Sequence, residues 1–373
     1  MLVYLLQIKK LIVSGFACFF LYVGMIFSQE MPEDTTYRIE IFSDKGGRVD
    51  WNAKTNKVAL DQENNGRWDT YICNPDKSEM INLTEDLTGK TFGDQKVMEW
   101  QHRGQPAFHP EGNYILFQVM NEHASSKIKT PELLSLGVNN DLWIMRSDGT
   151  GKQKLTNNPK GFSVLHPHFS HDGSTIMWAE KYADNRRAGT FGAWRIKLAE
   201  INFEKDSVRL ENIRCVEPVK NKWYESHGFS KDDTKIYFSG NLTTDLKAND
   251  IYSYDLQKKE LVNLTQSNST WEEMYHLNPE DSGIYSFISS RFFNWNNKFG
   301  WATLRTELYI NDEGKVKRLT FFNEDRSQED GLTKKHYFIG DHCWSPDGKS
   351  LLAVLAEVSF GETNSRIVRV FLE

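Results

Sequence analysis

Cysteine is scarce in this 373-residue chain, with four in all. Cys18 sits inside an apolar N-terminal run, which leaves Cys73, Cys215 and Cys343 for the folded part. An odd number, one to a region and never in a metal-ligand spacing, argues against a disulfide framework and predicts buried free thiols. Basic charge is also in short supply. The net charge is −6, or −8 once Lys9 and Lys10 leave with a leader, which argues against binding nucleic acid through a basic surface. No helical period of any length is present, and no Pro/Gly/Ser-rich linker divides the chain. A nucleophile elbow, a P-loop, a dinucleotide fingerprint and an EF-hand loop are all missing, which sets those chemistries aside.

Aromatic residues, by contrast, reach 13% and suit β-rich packing, where large rings fill the space between sheets. They also mark a repeat. His342-Cys-Trp-Ser-Pro-Asp-Gly-Lys349 is an aromatic strand end followed by a tight turn. Proline presets φ there, aspartate bonds back to the backbone and glycine tolerates positive φ. Weaker copies are Phe108-His-Pro-Glu-Gly-Asn113, Phe169-Ser-His-Asp-Gly-Ser174, Phe229-Ser-Lys-Asp-Asp-Thr234 and Leu277-Asn-Pro-Glu-Asp-Ser282, with a degenerate first copy at Trp51-Asn-Ala-Lys-Thr-Asn56. The anchors Trp51, Phe108, Phe169, Phe229, Leu277 and Trp344 lie 57, 61, 60, 48 and 67 residues apart.

Each repeat writes as four short strands, and Leu-Thr ends four of them: Leu83-Thr84, Leu155-Thr156, Leu264-Thr265 and Leu319-Thr320. The third repeat is longer and ends near Arg214-Cys215-Val216 without it. Six such units predict an all-β fold, a six-bladed β-propeller over residues 37–373 with four antiparallel strands per blade. The last repeat has only three strands, so Tyr37–Ser43 is expected to supply its outer strand and close the ring, leaving no open sheet edge there.

The Trp-Ser-Pro-Asp-Gly-Lys turn, the Asp141-Leu-Trp-Ile-Met-Arg-Ser-Asp-Gly149 strand and turn, and the Leu-Thr endings resemble the WD40-like repeat of TolB-type propellers. The resemblance covers the propeller and not the separate N-terminal α/β domain of that family. It implies an interaction module.

Short turns fall on one face of such a ring. Long loops fall on the other: Glu85–Trp100, Asn121–Asn140, Lys181–Phe191, Ser290–Leu304 and Phe322–Lys335. Binding is expected on the long-loop face. Its candidate ligand-binding residues are Trp100, Arg103, Trp223, Tyr224, Trp271, Tyr275 and Tyr337, which with Arg186, Arg187 and Arg291 suit an acidic sugar or a peptide carboxylate. The competing account has the tryptophans filling gaps between blades and the arginines solvated. His166, His168, His227, His276 and His342 precede the hairpin turns on the inner strands. They either pack the channel or form a metal or acid/base cluster. Strand alternation predicts that they cannot all face inward, because His168 and His276 stand one residue before their anchors and His227 and His342 two.

The leading expectation is an exported, non-catalytic and monomeric scaffold holding a protein or glycan partner, with no cofactor. The alternative resembles oligogalacturonate lyase, a metal-dependent enzyme acting on uronate-containing glycans. That resemblance implies a divalent metal on His166, His168, His227 and His342, His227 as a candidate base, and Arg186, Arg187 or Arg291 on the carboxylate. Met1–Ser28 reads as an export signal, with Lys9 and Lys10 before the apolar run, and implies a periplasmic or secreted protein. A membrane association follows only if that segment stays as an anchor. Of four Asn-x-Ser/Thr sequons, those at Asn82 and Asn263 coincide with Leu-Thr endings, where a structural reason suffices.

Overall fold

Pro-Asp-Gly chemistry and four-strand repeats build six four-stranded antiparallel sheets in the computed structural model. It describes residues 37–93, 95–124, 137, 139–183, 192–205, 207–243, 249–267, 269–293, 303–324, 336–359 and 362–372. Blade 1 comprises Val49–Asn52, Lys57–Asn64, Arg67–Cys73 and Ile81–Asn82. Blade 2 comprises Arg103–Phe108, Tyr114–Met120, Asn140–Arg146 and Gln153–Lys154. Blade 3 is Ser163–Phe169, Thr175–Ala183, Ala193–Phe203 and Val208–Val216, and blade 4 is Tyr224–Phe229, Lys235–Gly240, Asp250–Asp255 and Leu261–Asn263. Blade 5 is Glu272–Leu277, Ile284–Ser289, Glu307–Asp312 and Lys315–Arg318. Blade 6 has His336–Trp344, Ser350–Ser359 and Glu362–Phe371 from the C-terminus, and Ile39–Ser43 as its outer strand. That last pairing sets Ile39 opposite Val370 and Ile41 opposite Val368, so the ring closes as the sequence predicts. Among the described residues helix is limited to short 3-10 turns such as Glu85–Leu87.

The hairpin turns share one hydrogen-bond scheme. Ser170, Ser230 and Ser345 each donate a hydroxyl to the aspartate two residues on, at 2.6, 2.7 and 2.6 Å. Each hydroxyl also accepts the backbone N–H that starts the second strand, at 2.9, 2.9 and 3.0 Å. Blade 5 substitutes Asn278, whose carbonyl accepts from Glu280 and Asp281. Turns also clasp their neighbours. Asp233 accepts from the backbone N–H groups of His171 and Asp172, and Asn278 donates to the Gly348 carbonyl. Gly348 has φ +65°, and a Cβ there would fall 2.6 Å from Asn278, so glycine is required twice over.

The Leu-Thr endings act as staples. The hydroxyls of Thr84, Thr156, Thr265 and Thr320 each bond an acid that opens or lies in the third strand: Asp69, Asp141, Asp250 and Glu307, at 3.3, 3.1, 3.1 and 2.6 Å. Each also accepts the backbone N–H of the residue after that acid, at 2.9–3.1 Å. Asn82 and Asn263, the two sequon asparagines, accept backbone N–H groups of the same turn and donate to Asp69 and Asp250. Their side chains are committed inward. Large rings fill the gaps between blades, as where Trp194 of blade 3 meets Trp223 at 4.8 Å, edge to face. The three thiols are free: Cys73 and Cys343 are buried as expected, whereas Cys215 is exposed on the outer strand of blade 3.

Candidate functional site

Each inner strand from blade 2 to blade 6 carries a β-bulge. The register shifts between Gly104 and Ala107, Leu165 and His168, Ser226 and Gly228, Glu273 and His276, and Ile339 and His342. Gln105, His166 and Met274 adopt φ of +59°, +47° and +58° there. One extra residue per strand breaks strict alternation and re-aims side chains. The bulges bring His168, His227 and His276 to one axial cavity, although strict alternation would part His227 from the other two, whereas His166 and His342 are not among the residues lining it.

The cavity has a volume of about 310 Å³ and is lined at its mouth by hairpin-turn residues such as Ala53, Pro110, His171, Pro279 and Pro346. All six repeat anchors line it, together with Tyr237, Tyr275, Asp50 and Cys343. Tyr237 stacks on Tyr275 at 4.1 Å in its wall. Beneath it the rings of His168 and His276 lie 6.2 Å apart, and those of His276 and His342 lie 4.7 Å apart.

A guanidinium holds the centre of this cluster. Arg48 is buried, with Nε 3.1 Å from an Asp341 oxygen and Nη2 3.1 Å from His168 Nε2. It also reaches Gln105 at 3.4 Å and the Pro167 carbonyl at 3.5 Å, so one side chain joins inner strands of four blades. Burial alone would raise the Asp341 carboxyl, yet Arg48 and the histidines beside it hold it well below the usual carboxylate range. Asp61 behaves oppositely. Burial pushes it up to about 8, although both its oxygens accept the Gln105 N–H and Arg48 stands nearby. Burial also holds His168, His227 and His342 well below the usual imidazole value, so they stay neutral near pH 7. Farther along the channel, His166 Nδ1 meets Glu225 at 2.9 Å. Burial and the neighbouring Glu225 charge raise the Glu273 carboxyl well above the usual carboxylate range.

Each predicted metal ligand has a ring nitrogen already engaged. His166 bonds Glu225, His168 takes Arg48, His227 Nε2 accepts the Met274 N–H at 3.2 Å, and His342 Nε2 meets the Ser286 hydroxyl at 2.7 Å. Among the described residues no three His, Cys, Asp or Glu side chains form a group able to hold a metal ion. With Arg48 as the cation of the cluster, these residues as arranged do not fit a divalent metal.

The predicted aromatic platform is dispersed. Trp223, Tyr224 and Trp271 are buried between blades, and the Tyr224 hydroxyl donates to the Val219 carbonyl. Tyr275 lines the hairpin-face cavity instead of the long-loop face. Arg103 is fully buried, bonded to Asp69, Thr84, Thr88 and Met98. Arg291 bonds Glu272 at 2.6 Å. Trp100 and Tyr337 remain partly exposed on the long-loop face. Arg186 and Arg187 lie outside the described residues. Sequence reasoning passed over Arg48, Asp50, Asp61, Glu225, Glu273 and Asp341. The one available signal was a charged residue inside an otherwise inward-facing strand.

No family model matches this chain, and no curated protein does. Solved structures do. TolB from Acinetobacter baumannii superposes with a TM-score of 0.51 at 16% identity, over 91% of this chain and 65% of the TolB chain. The chain therefore spans just under two thirds of TolB. A gluconolactonase from Xanthomonas campestris matches with TM-score 0.51 and 12% identity, over 92% of this chain and 91% of that one. An oligogalacturonate lyase in complex with manganese matches with TM-score 0.48 and 12% identity, over 92% and 95%. Neighbours of such varied function at such identity share an architecture alone. That architecture is the six-bladed, TolB-like β-propeller.

Proposed function

We propose that the chain is an exported, non-catalytic binding propeller that holds a protein or glycan partner at its axial funnel. The observation carrying this reading is the convergence of Trp51, Phe108, Phe169, Phe229, Leu277 and Trp344 on one open cavity. Aromatic and apolar anchors set among polar side chains around an open concavity suit contact with a partner. Burial keeps His168 and His227 neutral, and each has a ring nitrogen already bonded, which suits a fixed floor. The long-loop face expected from the sequence is the competing location, with Trp100 and Tyr337 as its partly exposed aromatics. Partner capture from a host extract separates the two faces. Phe169→Arg or Leu277→Arg should abolish retention, while shortening the 121–140 loop should leave it intact. The reverse pattern would move the site to the long loops. Export predicts a mature N-terminus near Gln29 by intact mass, and retention of Met1 in membranes would mean an anchor.

The ring contacts among His168, His276 and His342 favour one other reading, a lyase on uronate-rich glycans. Such a reaction needs a positioned base and a cation on the developing charge. Absorbance of new unsaturated ends, lost in His227→Ala with melting preserved, would replace the binding module with the enzyme.

A further inference from the structure

Outer strands present free edges at the rim of the ring, and the chain blunts most of them. Those of blades 1, 2, 4 and 5 are only two to four residues long. Blade 3 has a nine-residue edge, but a register shift between Leu198 and Glu200 breaks it and Asn212 stands at φ +50°. Arg209, Glu211 and Arg214 are exposed along it. Short strands, bulges and charges are the usual defences of an edge. Blade 6 differs. Its outer strand Ile39–Ser43 pairs in order over Ile39, Glu40 and Ile41, and among the described residues Glu362–Phe371 is its one strand partner. Ile39 and Ile41 share a face and are 36% and 51% exposed. The Arg38 carbonyl accepts the Phe371 N–H at 3.0 Å, so by alternation the N–H and C=O groups of Tyr37, Ile39 and Ile41 point outward, to the free edge.

We propose that this edge pairs antiparallel with the same strand of a second copy of the chain, about a two-fold axis through Ile39. In that register Ile39 faces itself and Tyr37 faces Ile41 of the second copy. The outward backbone groups of all three then meet in about six ladder hydrogen bonds. Charge selects the register. Arg38 falls opposite Glu40 of the second copy, twice by symmetry, in the pairs whose side chains approach most closely. Moving the axis by one residue would set Arg38 against Arg38 or Glu40 against Glu40. Both side chains are exposed and bond each other at 2.8 Å within the strand, so changing partners costs little. The pairing is isologous and closed, which stops association at the dimer, and its small area makes that dimer a weak one.

The test is sedimentation velocity on the chain purified from its host, from about 1 μM to about 500 μM, a span suited to a small interface. A dimer forming across that range is expected. Arg38→Glu and Glu40→Arg each turn two attractive contacts into two repulsive ones and should weaken it about tenfold or more. Melting curves at low concentration should match the parent, since both side chains are exposed. Mixing the two variants should restore a dimer, because each altered edge complements the other and not itself. Hydrogen exchange over residues 37–43 should slow as the parent associates and stay fast in either variant alone. The monomer expected from the sequence, found at every concentration, would overturn the proposal. So would a dimer that neither charge reversal weakens, or two variants that fail to associate on mixing.

Discussion

Blades 3 and 6, three places apart in the ring, hold their outer strands differently from the other four blades. Blades 1, 2, 4 and 5 end in outer strands of only two to four residues: Ile81–Asn82, Gln153–Lys154, Leu261–Asn263 and Lys315–Arg318. Each is tied by a threonine hydroxyl to an acid of the third strand. Blade 3 has no such threonine, and its outer strand Val208–Val216 runs nine residues against Ala193–Phe203. Blade 6 also lacks it. Its third strand, Glu362–Phe371, pairs along ten residues with Ser350–Ser359 before Ile39–Ser43 covers it. A short outer strand offers few ladder bonds, so one buried side-chain link at its end fixes register. A long strand gains the same fixity from its ladder.

The largest effect should come from blade 6, whose outer strand is not continuous with the rest of the blade. Deleting residues 37–45 removes Phe42 from the core and uncovers the third strand. Several kcal/mol should be lost, at roughly 25 cal/mol per Å² of apolar surface, with a sharp fall in melting temperature. A variant melting with the parent would show that closure contributes little.

Thr320→Val tests a staple. Thr320 and Glu307 are fully buried, and the substitution strips a donor from Glu307 and an acceptor from the Leu308 N–H. A loss of about 2–4 kcal/mol by denaturant titration is expected, since buried polar groups left unpaired cost about 1–3 kcal/mol each. An exposed polar change on the unstapled outer strand, such as Arg214→Ala, should stay within about 0.5 kcal/mol. Equal costs would erase the distinction between the two kinds of blade.

Acid should sharpen it further. Burial would raise Asp69, but bonds from Arg67, Asn82 and Asn64 and the Arg103 charge hold it below its ordinary 3.8. Its contribution is therefore present above that value and lost as pH falls through the lowered one. Asp141, with Lys154 at 3.0 Å, is raised by burial and has the opposite sign. Asp69→Asn should thus flatten the acid limb of stability, and Asp141→Asn should not. In the channel, Asp61 contributes stability that is full below 3.8 and lost as pH rises through about 8. Asp61→Asn should remove that alkaline slope in melting curves.

The smallest effect concerns the exposed edge of blade 3. Cys215→Ser should leave stability within about 0.5 kcal/mol. A thiol reagent should label one cysteine of the native propeller, Cys215, and reach Cys73 and Cys343 only on unfolding. Prompt labelling of Cys343 would mean that the funnel opens deeper than its burial indicates.

The sequence by itself determined the repeat, the blade count, the closing strand and the Leu-Thr endings. All of these rest on local chemistry: which residues make a tight turn, and a period of two between turns. Even the missing ending of the third repeat was legible, and its long outer strand follows from it. Tertiary structure alone decided where the side chains of the inner strands point. Bulges insert one residue and cancel the alternation from which facing was inferred, and their positive-φ positions fall on Gln105, His166 and Met274, which no turn signature marks. The funnel, too, is made by six anchors at least 48 residues apart in the chain, converging on one axis. Arg48, Asp50, Asp61 and Asp341 look like ordinary surface charges until blades 1 and 6 meet and bring them together, where burial and mutual field shift the carboxyls.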